Sequence, residues 1–396
     1  MTTSVPPFIV DALITAARDR AGLVNFGNED FLEALTAYTV ALNDKAGMLS
    51  ERGAAMIFEE LVGTLVNRLK TADYIRKYPE AEEKKISRPV FIVGLYRTAT
   101  TKLQHLLCAD PRWLYLQTWQ TIYPIPTPGG KPGEEDPRIA AGQRNLEQLK
   151  QVAPYVFMAH PLEATDPSEE VPFLTQGFRQ MEAKQINPAF TAWIESHDKT
   201  PMYLDLRRSL QVLQHQAQNG DQEERRYCLK APSHLGNIET LMKVFPDAKI
   251  IFTHRDPLPA IHSFTMIRES LRRLYVDNMD PKVMGTEILE QAATALDNFV
   301  IARKRLPANT FLDLRFEDIV SRGLELTTDI YRHVDVPLTP EVRACLARAD
   351  EKGEEQKNRA EGRDPAHYGL NRERVYERTR NYLAWAQENI GAVTRL

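Results

Sequence analysis

The chain has 396 residues, of which 43% are hydrophobic and 26% charged, a composition typical of globular proteins with a substantial core. Its net charge is −4 and its Lys and Arg residues are spread along the sequence, which argues against binding of nucleic acid or of an anionic membrane surface. No apolar run is long enough to cross a bilayer, the first residues lack the basic region of a signal peptide, and the three cysteines are far apart. We therefore expect a cytoplasmic enzyme or binding protein with reduced thiols.

The first third of the chain predicts helices followed by a strand–turn–helix unit. Residues 7 to about 80 are expected to be helical because apolar residues recur three and four apart, as at Leu61, Leu65 and Leu69. After the charged run EAEEKK, the short β-branched run PVFIVGL predicts a buried strand. TTKLQHLLCAD follows directly with helical periodicity, so the turn between the two elements is tight.

The remainder of the chain alternates between helix and strand patterns. Residues 121–137 are rich in Pro and Gly and predict a surface loop, and residues 138–220 are mostly helical. Strand patterns return in CLKAP, AKIIFTHRDP and FLDLRFEDIV, each beside a helical segment. We expect an α/β fold, a P-loop-like central parallel sheet with helices on both faces. A helical N-terminal extension (1–85) would pack on one α/β domain (86–396) with a helical insertion at about 121–220.

Residues 94–101 (GLYRTATT) form the first candidate anion site. A strand that runs through a turn into a helix gathers backbone N–H groups and the positive end of the helix dipole at one point. Arg97 adds a forked cation, and Thr98, Thr100 and Thr101 add hydroxyl donors. The alternative is an ordinary strand-to-helix turn in which the threonines only cap the helix.

The same turn differs from the GxxxxGKS/T loop of nucleoside-triphosphate enzymes. Ala99 stands at the position of the second Gly and Thr100 at the position of the Lys. Without that Lys a γ-phosphate loses its usual cation, and no carboxylate at a predicted strand end is a convincing magnesium ligand. The turn therefore fits a phosphate–sulfate anhydride better, and a nucleotide kinase-like enzyme is the alternative.

These motifs resemble those of sulfotransferases that use 3′-phosphoadenosine-5′-phosphosulfate (PAPS). In that family a strand leads through P-R/K-S/T-G-T-T into a helix; FIVGLYRTATTKLQHLLCADP is similar, with Tyr96 replacing Pro and Ala99 replacing Gly. IIFTHRDPLPAIHS resembles the second family signature, a strand followed by RDP and a Ser eight residues after the Arg, here Arg255 and Ser263. The similarity is strongest to the bacterial subgroup with an extended helical N-terminus. If the Gly of the family has positive φ, Ala99 strains the turn by roughly 1 kcal/mol; in a right-handed conformation it costs nothing.

The resemblance implies transfer of a sulfuryl group from PAPS to a hydroxyl of a small, apolar acceptor, with release of 3′-phosphoadenosine-5′-phosphate (PAP) and without a metal. Arg255 and Ser263 would bind the 3′-phosphate. The residues implied to bind the co-substrate are Arg97, Thr98, Ala99, Thr100, Thr101, Arg255 and Ser263. An inactive PAPS- or PAP-binding protein is a further alternative.

The groups that would perform the chemistry are less sharply defined. Arg97 is expected to stabilise the sulfate and the leaving group. His160, in AHPLEATDPSEE, is a candidate for the base that takes the acceptor proton, and Glu169 and Glu170 are its rivals, because related sulfotransferases use either His or a carboxylate. Lys230, in LKAPSH, would bind sulfate oxygens or would be a solvated cation at a strand end.

The acceptor and the partners are predicted only by class. The acceptor pocket is expected from residues 115–200 and the N-terminal helices, although aromatic residues in that range are more often core. The expected partner is a small molecule with a hydroxyl group. The amphipathic N-terminal helices could pack on the sheet or on a second subunit to form a homodimer, and the sequence leaves both open.

Overall fold

The structure is a computed structural model, and it describes residues 6–44, 48–126, 135–154, 157, 162–180, 188–217, 225–354 and 363–394. The helices of the first half are α1 (Val10–Ala21), α2 (Leu32–Asp44), α3 (Glu51–Lys77), α4 (Thr100–Cys108), α5 (Thr118–Ile122), α6 (Pro137–Val152), α7 (Val171–Leu174), α8 (Pro188–Ser196) and α9 (Thr200–Gln216). Those of the second half are α10 (Ile238–Val244), α11 (Pro257–Arg272), α12 (Pro281–Arg305), α13 (Phe316–His333), α14 (Pro340–Glu354), α15 (Arg372–Arg378) and α16 (Arg380–Asn389). The strands are β1 (Val90–Gly94), β2 (Trp113–Leu114), β3 (Arg226–Lys230), β4 (Lys249–His254) and β5 (Phe311–Arg315).

The described strands form one parallel sheet in the order β2-β3-β1-β4-β5. β1 lies at its centre, where Phe91 pairs with Leu229 of β3 and with Ile250 of β4. All five residues of β1 are buried, which is why this strand is a continuous apolar run in the sequence. β2 was not predicted, since two residues are too few to establish a period.

Helices cover both faces of the sheet. Side chains along a strand point alternately to opposite faces, so Phe91 and Val93 of β1 enter one hydrophobic core and Val90 and Ile92 enter the other. The first core contains side chains of α9–α12, α15 and α16, and the second contains side chains of α4, α13 and α14. The predicted α/β class with a central parallel sheet is confirmed.

One predicted strand is wrong in its second half. FLDLRFEDIV is a strand only as far as Arg315, and α13 begins at Phe316. Glu317 and Asp318 lie in the first turn of α13, where negative charge is favourable beside the positive end of the helix dipole. Of the predicted loop 121–137, residues 123–126, 135 and 136 are in neither helix nor strand, as expected. Residues 121–122 belong to α5 and residue 137 begins α6, so the loop is shorter than predicted at both ends.

The N-terminal helices form a third core with later parts of the chain. Leu13, Leu35 and Leu65 pack there together with Phe178 and Tyr275. The predicted helical range, 7 to about 80, contains α1, α2 and α3 with short non-helical connections between them. The division into an extension (1–85) and a domain (86–396) stays a prediction. In the described ranges, no helix has the length and apolar character that a membrane crossing needs.

A buried ion pair fastens α3 to α9. Arg68 Nη1 lies 2.6 Å from Asp205 Oδ2, and the two side chains are only 4% and 5% exposed. The same nitrogen donates to the carbonyl oxygen of Gln176 (3.2 Å), and Nη2 donates to Asn28 Oδ1 (2.9 Å). Without Asp205, the buried Arg68 would keep only the half-exposed Asp30, at 3.3 Å, as a counterion.

Asp205→Asn is therefore expected to lower the free energy of unfolding by about 3 kcal/mol, measured by urea denaturation. Glu59→Gln is the matched control, because it removes the same kind of charge from the exposed pair Arg20–Glu59 (47% and 59% exposed) and should cost less than about 1 kcal/mol. Equal losses in the two variants would contradict the role given to the buried pair.

The turn between β1 and α4 is strained. Ala99 has φ 65° and ψ 19°, the left-handed region in which Gly is the usual residue, and Arg97 has φ 63°. Of the two conformations considered for Ala99, the costly one is present, at roughly 1 kcal/mol. Gly94 ends β1 where a Cβ atom would lie 2.2 Å from Thr253 Oγ1 and 2.7 Å from the Thr253 carbonyl oxygen, so the strand end admits no side chain.

Ala99→Gly should raise the free energy of unfolding, by up to about 1 kcal/mol, because the strain relieved exceeds the extra entropy of the unfolded chain. Ala109→Gly is the control: Ala109 packs on the same hydrophobic core but has φ −70° and ψ −18°. It is expected to lose about 0.5–1 kcal/mol. Urea denaturation of both variants checks the difference, and a change of the same sign in both would argue against strain at Ala99.

Candidate active site

The turn after β1 is held to β4 by a threonine. Thr98 is fully buried; its hydroxyl donates to the carbonyl oxygen of Leu95 (2.6 Å) and lies 2.6 Å from Thr253 Oγ1. The predicted hydroxyl donor Thr98 therefore uses its side chain within the protein. Its neighbours Thr100 and Thr101 begin α4, at the helix end that attracts anions.

The two sequence motifs meet at the carboxyl edge of the sheet. Arg97 Nε donates to Ser263 Oγ (3.3 Å), and Arg255 Nη1 donates to the carbonyl oxygen of Arg97 (2.5 Å). The Arg255 guanidinium carbon lies 3.9 Å from the centre of the Phe316 ring, a cation–π contact that orients it. The curvature of the backbone thus brings Arg255 and Ser263 to the turn, as their predicted role requires.

Lys230 brings a further cation from β3. Its side chain is 1% exposed, and Nζ lies 2.5 Å from Glu169 Oε1 and 3.4 Å from Thr101 Oγ1. A solvated cation at the strand end, the alternative considered from the sequence, is therefore wrong. The Glu169 side chain is 33% exposed, so its carboxylate lies between the buried lysine and the solvent, beside the N-terminus of α4.

Glu170 also contacts Lys230, but through the main chain and from a buried position. It is fully buried; Oε2 accepts from the backbone N–H of Lys230 (3.0 Å), and Oε1 lies 2.5 Å from His234 Nε2. The other ring nitrogen of His234, Nδ1, lies 2.9 Å from Tyr203 Oη. Of the two rival glutamates, Glu169 combines exposure with a place at the turn and Glu170 does not. His160 lies outside the described residues.

His105 is a further candidate residue of the active site, and it was not predicted from the sequence. It lies four residues after Thr101 on α4, hence on the same helix face, and its buried Nε2 makes no hydrogen bond. Burial lowers the pKa of His105; the Asp166 carboxylate opposes this effect and Lys230 adds to it. The spacing of Thr101 and His105 in TTKLQH was the available signal.

The residues present suit a ligand with two separate anionic groups. Lys230 contacts Thr101 at the N-terminus of α4, and Arg97, in the turn just before that helix, contacts both Ser263 and Arg255. Cations at a helix N-terminus favour phosphate or sulfate. In the described part of the chain no group of three or more His, Cys, Asp or Glu side chains is arranged to hold a metal ion.

Comparison with known proteins agrees with this geometry. The model of the sulfotransferase family matches residues 89–340. The omega-hydroxy-beta-dihydromenaquinone-9 sulfotransferase Stf3 of Mycobacterium bovis is 26% identical, over 62% of this chain and 62% of its own length.

Two crystal structures are similar over nearly the full chain. Sulfotransferase STF1 of Mycobacterium tuberculosis has a TM-score of 0.79 and 28% identity, covering 95% of this chain and 100% of that one. Sulfotransferase STF9 of Mycobacterium avium has a TM-score of 0.83 and 25% identity, covering 97% of both chains. Because the family match extends over more than half of the chain, the resemblance seen in the two motifs is confirmed, and this chain belongs to the sulfotransferase family.

Proposed function

We propose that this chain is a PAPS-dependent sulfotransferase that transfers a sulfuryl group to a hydroxyl of a small acceptor and releases PAP. One observation carries the proposal: Arg97 contacts both Ser263 and Arg255, which come from the second motif. PAPS carries a phosphosulfate at its 5′ end and a phosphate at its 3′ end, so two adjoining anion sites match its charge.

The chemistry requires the acceptor oxygen, the sulfur and the leaving oxygen to be in line while charge grows on the leaving phosphate. Arg97 would stabilise that charge together with the backbone N–H groups at the start of α4. Lys230, whose Nζ lies 3.4 Å from Thr101 Oγ1, would bind sulfate oxygens. The scheme requires no metal.

Glu169 is the favoured base for the acceptor proton. Its carboxylate is partly exposed and is paired with Lys230 at 2.5 Å, so an acceptor hydroxyl can approach it beside the sulfate-binding cation. The buried Glu170 has no such access. His160 stays the rival candidate.

The acceptor would occupy a cleft that begins at the anion turn. Its cavity volume is about 100 Å³, and Tyr96 and Phe264 stack in its wall with ring centres 3.4 Å apart. Its other apolar walls come from Leu95, Ile194, Leu235, Ala292 and Ala295. Of the aromatic residues within 115–200, Trp119, Phe173 and Phe178 are buried core, the role that is more frequent for such residues. The named relative Stf3 acts on a hydroxylated menaquinone, and we propose an apolar alcohol here as well.

We also propose a cytoplasmic location, because Cys108, Cys228 and Cys345 form no disulfide. A homodimer remains a prediction from the amphipathic N-terminal helices.

PAP binding tests the donor site. Calorimetry without magnesium is expected to give micromolar PAP affinity and weak ATP affinity. Arg255→Ala should weaken PAP at least about tenfold, since a charge-assisted hydrogen bond contributes roughly 1.5–3 kcal/mol. Arg315→Ala, which removes a cation at the end of β5 that donates to the Ile390 carbonyl oxygen (3.4 Å), is the control and should bind PAP normally. Absence of PAP binding, or ATP binding that depends on magnesium, would contradict the proposed function and favour a nucleotide kinase-like enzyme.

The kcat values of two variants, Glu169→Gln and His160→Ala, test which residue is the base. With an apolar alcohol such as geranylgeraniol as acceptor and radiolabelled PAPS as donor, Glu169→Gln should lower kcat about 100-fold or more, the usual contribution of a general base. PAP affinity should survive this change, and His160→Ala should have a small effect. The reverse order of the two losses would make His160 the base.

A further inference from the structure

Three buried side chains lie directly behind the Glu169–Lys230 pair. Tyr203, on α9, His234, after β3, and Glu170, before α7, are each 0% exposed. Tyr203 Oη lies 2.9 Å from His234 Nδ1, and His234 Nε2 lies 2.5 Å from Glu170 Oε1. Glu170 Oε2 accepts from the backbone N–H of Lys230 at 3.0 Å. We call Tyr203, His234 and Glu170 the buried triad.

The direction of the hydrogen bonds in the buried triad depends on the tautomer of His234. A carboxylate group only accepts, so a carboxylate at Glu170 requires His234 to donate from Nε2. An imidazole with its one proton on Nε2 has a lone pair on Nδ1, to which Tyr203 can donate its hydroxyl hydrogen. In this arrangement Glu170 selects the tautomer of His234 and the orientation of the Tyr203 hydroxyl.

The buried triad is linked to both Glu169 and Lys230. Glu170 is bonded to the main chain of Lys230, and it follows Glu169 directly in the sequence. The same loop is held from the other side, where Gln104 of α4 donates to the carbonyl oxygen of Ser168 (3.0 Å). Glu169 is thus bracketed by two fixed neighbours while its own side chain stays partly exposed.

We propose that the buried triad is a positioning device that holds Glu169 and Lys230 at the anion turn, an inference that rests on the proposed function. A misplacement of about 1 Å in a reacting group can cost about 100-fold in rate, so a rigid support has a direct effect on kcat. A fully buried carboxylate is costly to keep. Its location at the Glu169–Lys230 pair, with all five polar side-chain atoms of the triad hydrogen-bonded, distinguishes it from an ordinary core contact.

The tautomer of His234 tests the arrangement without any acceptor. Long-range ¹⁵N–¹H NMR of the full chain should find the proton of His234 on Nε2. In Glu170→Gln the amide oxygen takes over the bond from the Lys230 N–H, and the amide NH₂ faces His234 Nε2. The proton should then move to Nδ1, which donates to the oxygen of Tyr203. A wild-type protein with its proton on Nδ1, or a variant without the exchange, would overturn the proposed direction.

Kinetics separate positioning from folding. Tyr203→Phe removes the hydroxyl that contacts His234. Tyr331→Phe is the control variant, because Tyr331 is also buried and its hydroxyl donates to Asp110 Oδ2 (2.7 Å) elsewhere in the fold. Both variants should lose similar thermal stability. Only Tyr203→Phe should lower kcat for geranylgeraniol sulfation, about tenfold, with KM for PAPS and Kd for PAP within about twofold of the wild type.

The outcomes distinguish two failures. Wild-type protein that neither binds PAP nor transfers the sulfuryl group would overturn the proposed function itself. Active wild type with an unchanged kcat in Tyr203→Phe, or equal kcat losses in the two tyrosine variants, would overturn only the positioning role.

Discussion

The alignment of three neighbouring parallel strands is the constraint on which the candidate site depends. β3, β1 and β4 pair side by side, so their carboxyl ends open on one edge of the sheet. Lys230 ends β3, Arg97 follows β1 and Arg255 follows β4. Three cations from distant parts of the chain therefore converge although the whole protein carries a net charge of −4. Their mutual repulsion is offset locally by Glu169 and the Arg97 carbonyl oxygen, and a bound polyanion would offset it further.

Burial gives two adjacent carboxylates different tasks. Glu169 faces the turn and remains in contact with water, whereas Glu170 points inward to His234 and the Lys230 backbone. A carboxylate that must exchange a proton with an acceptor needs access, and one that orders its neighbours needs fixed partners. Because the two residues are adjacent in the loop, the position of one limits the position of the other, and the two roles that we propose for them would be linked through one peptide bond.

Much of the fold and part of the site could be predicted because their signals are local. The apolar run of β1 and the two motifs predicted the sheet and the convergence of Arg97, Arg255 and Ser263. What the sequence could not specify depends on distant partners. The inward hydroxyl of Thr98 follows from a threonine 155 residues away, and Tyr203 lies on a helix with no motif of its own. The walls of the cleft come from several separate segments, which no local pattern connects.

The strained residue Ala99 directly follows Thr98, which is hydrogen-bonded to Thr253 of β4. A left-handed alanine persists only where its surroundings leave no better conformation, and here Gly94 has no room for a Cβ atom while Thr98 is bonded to Thr253. Thr253 lies two residues before Arg255, so the strand that carries the second anion-binding motif also holds the turn of the first. The two motifs are thus joined by the Thr98–Thr253 contact as well as by the bonds of Arg97 to Ser263 and Arg255. These contacts would help to keep a constant spacing between the proposed phosphosulfate and 3′-phosphate sites.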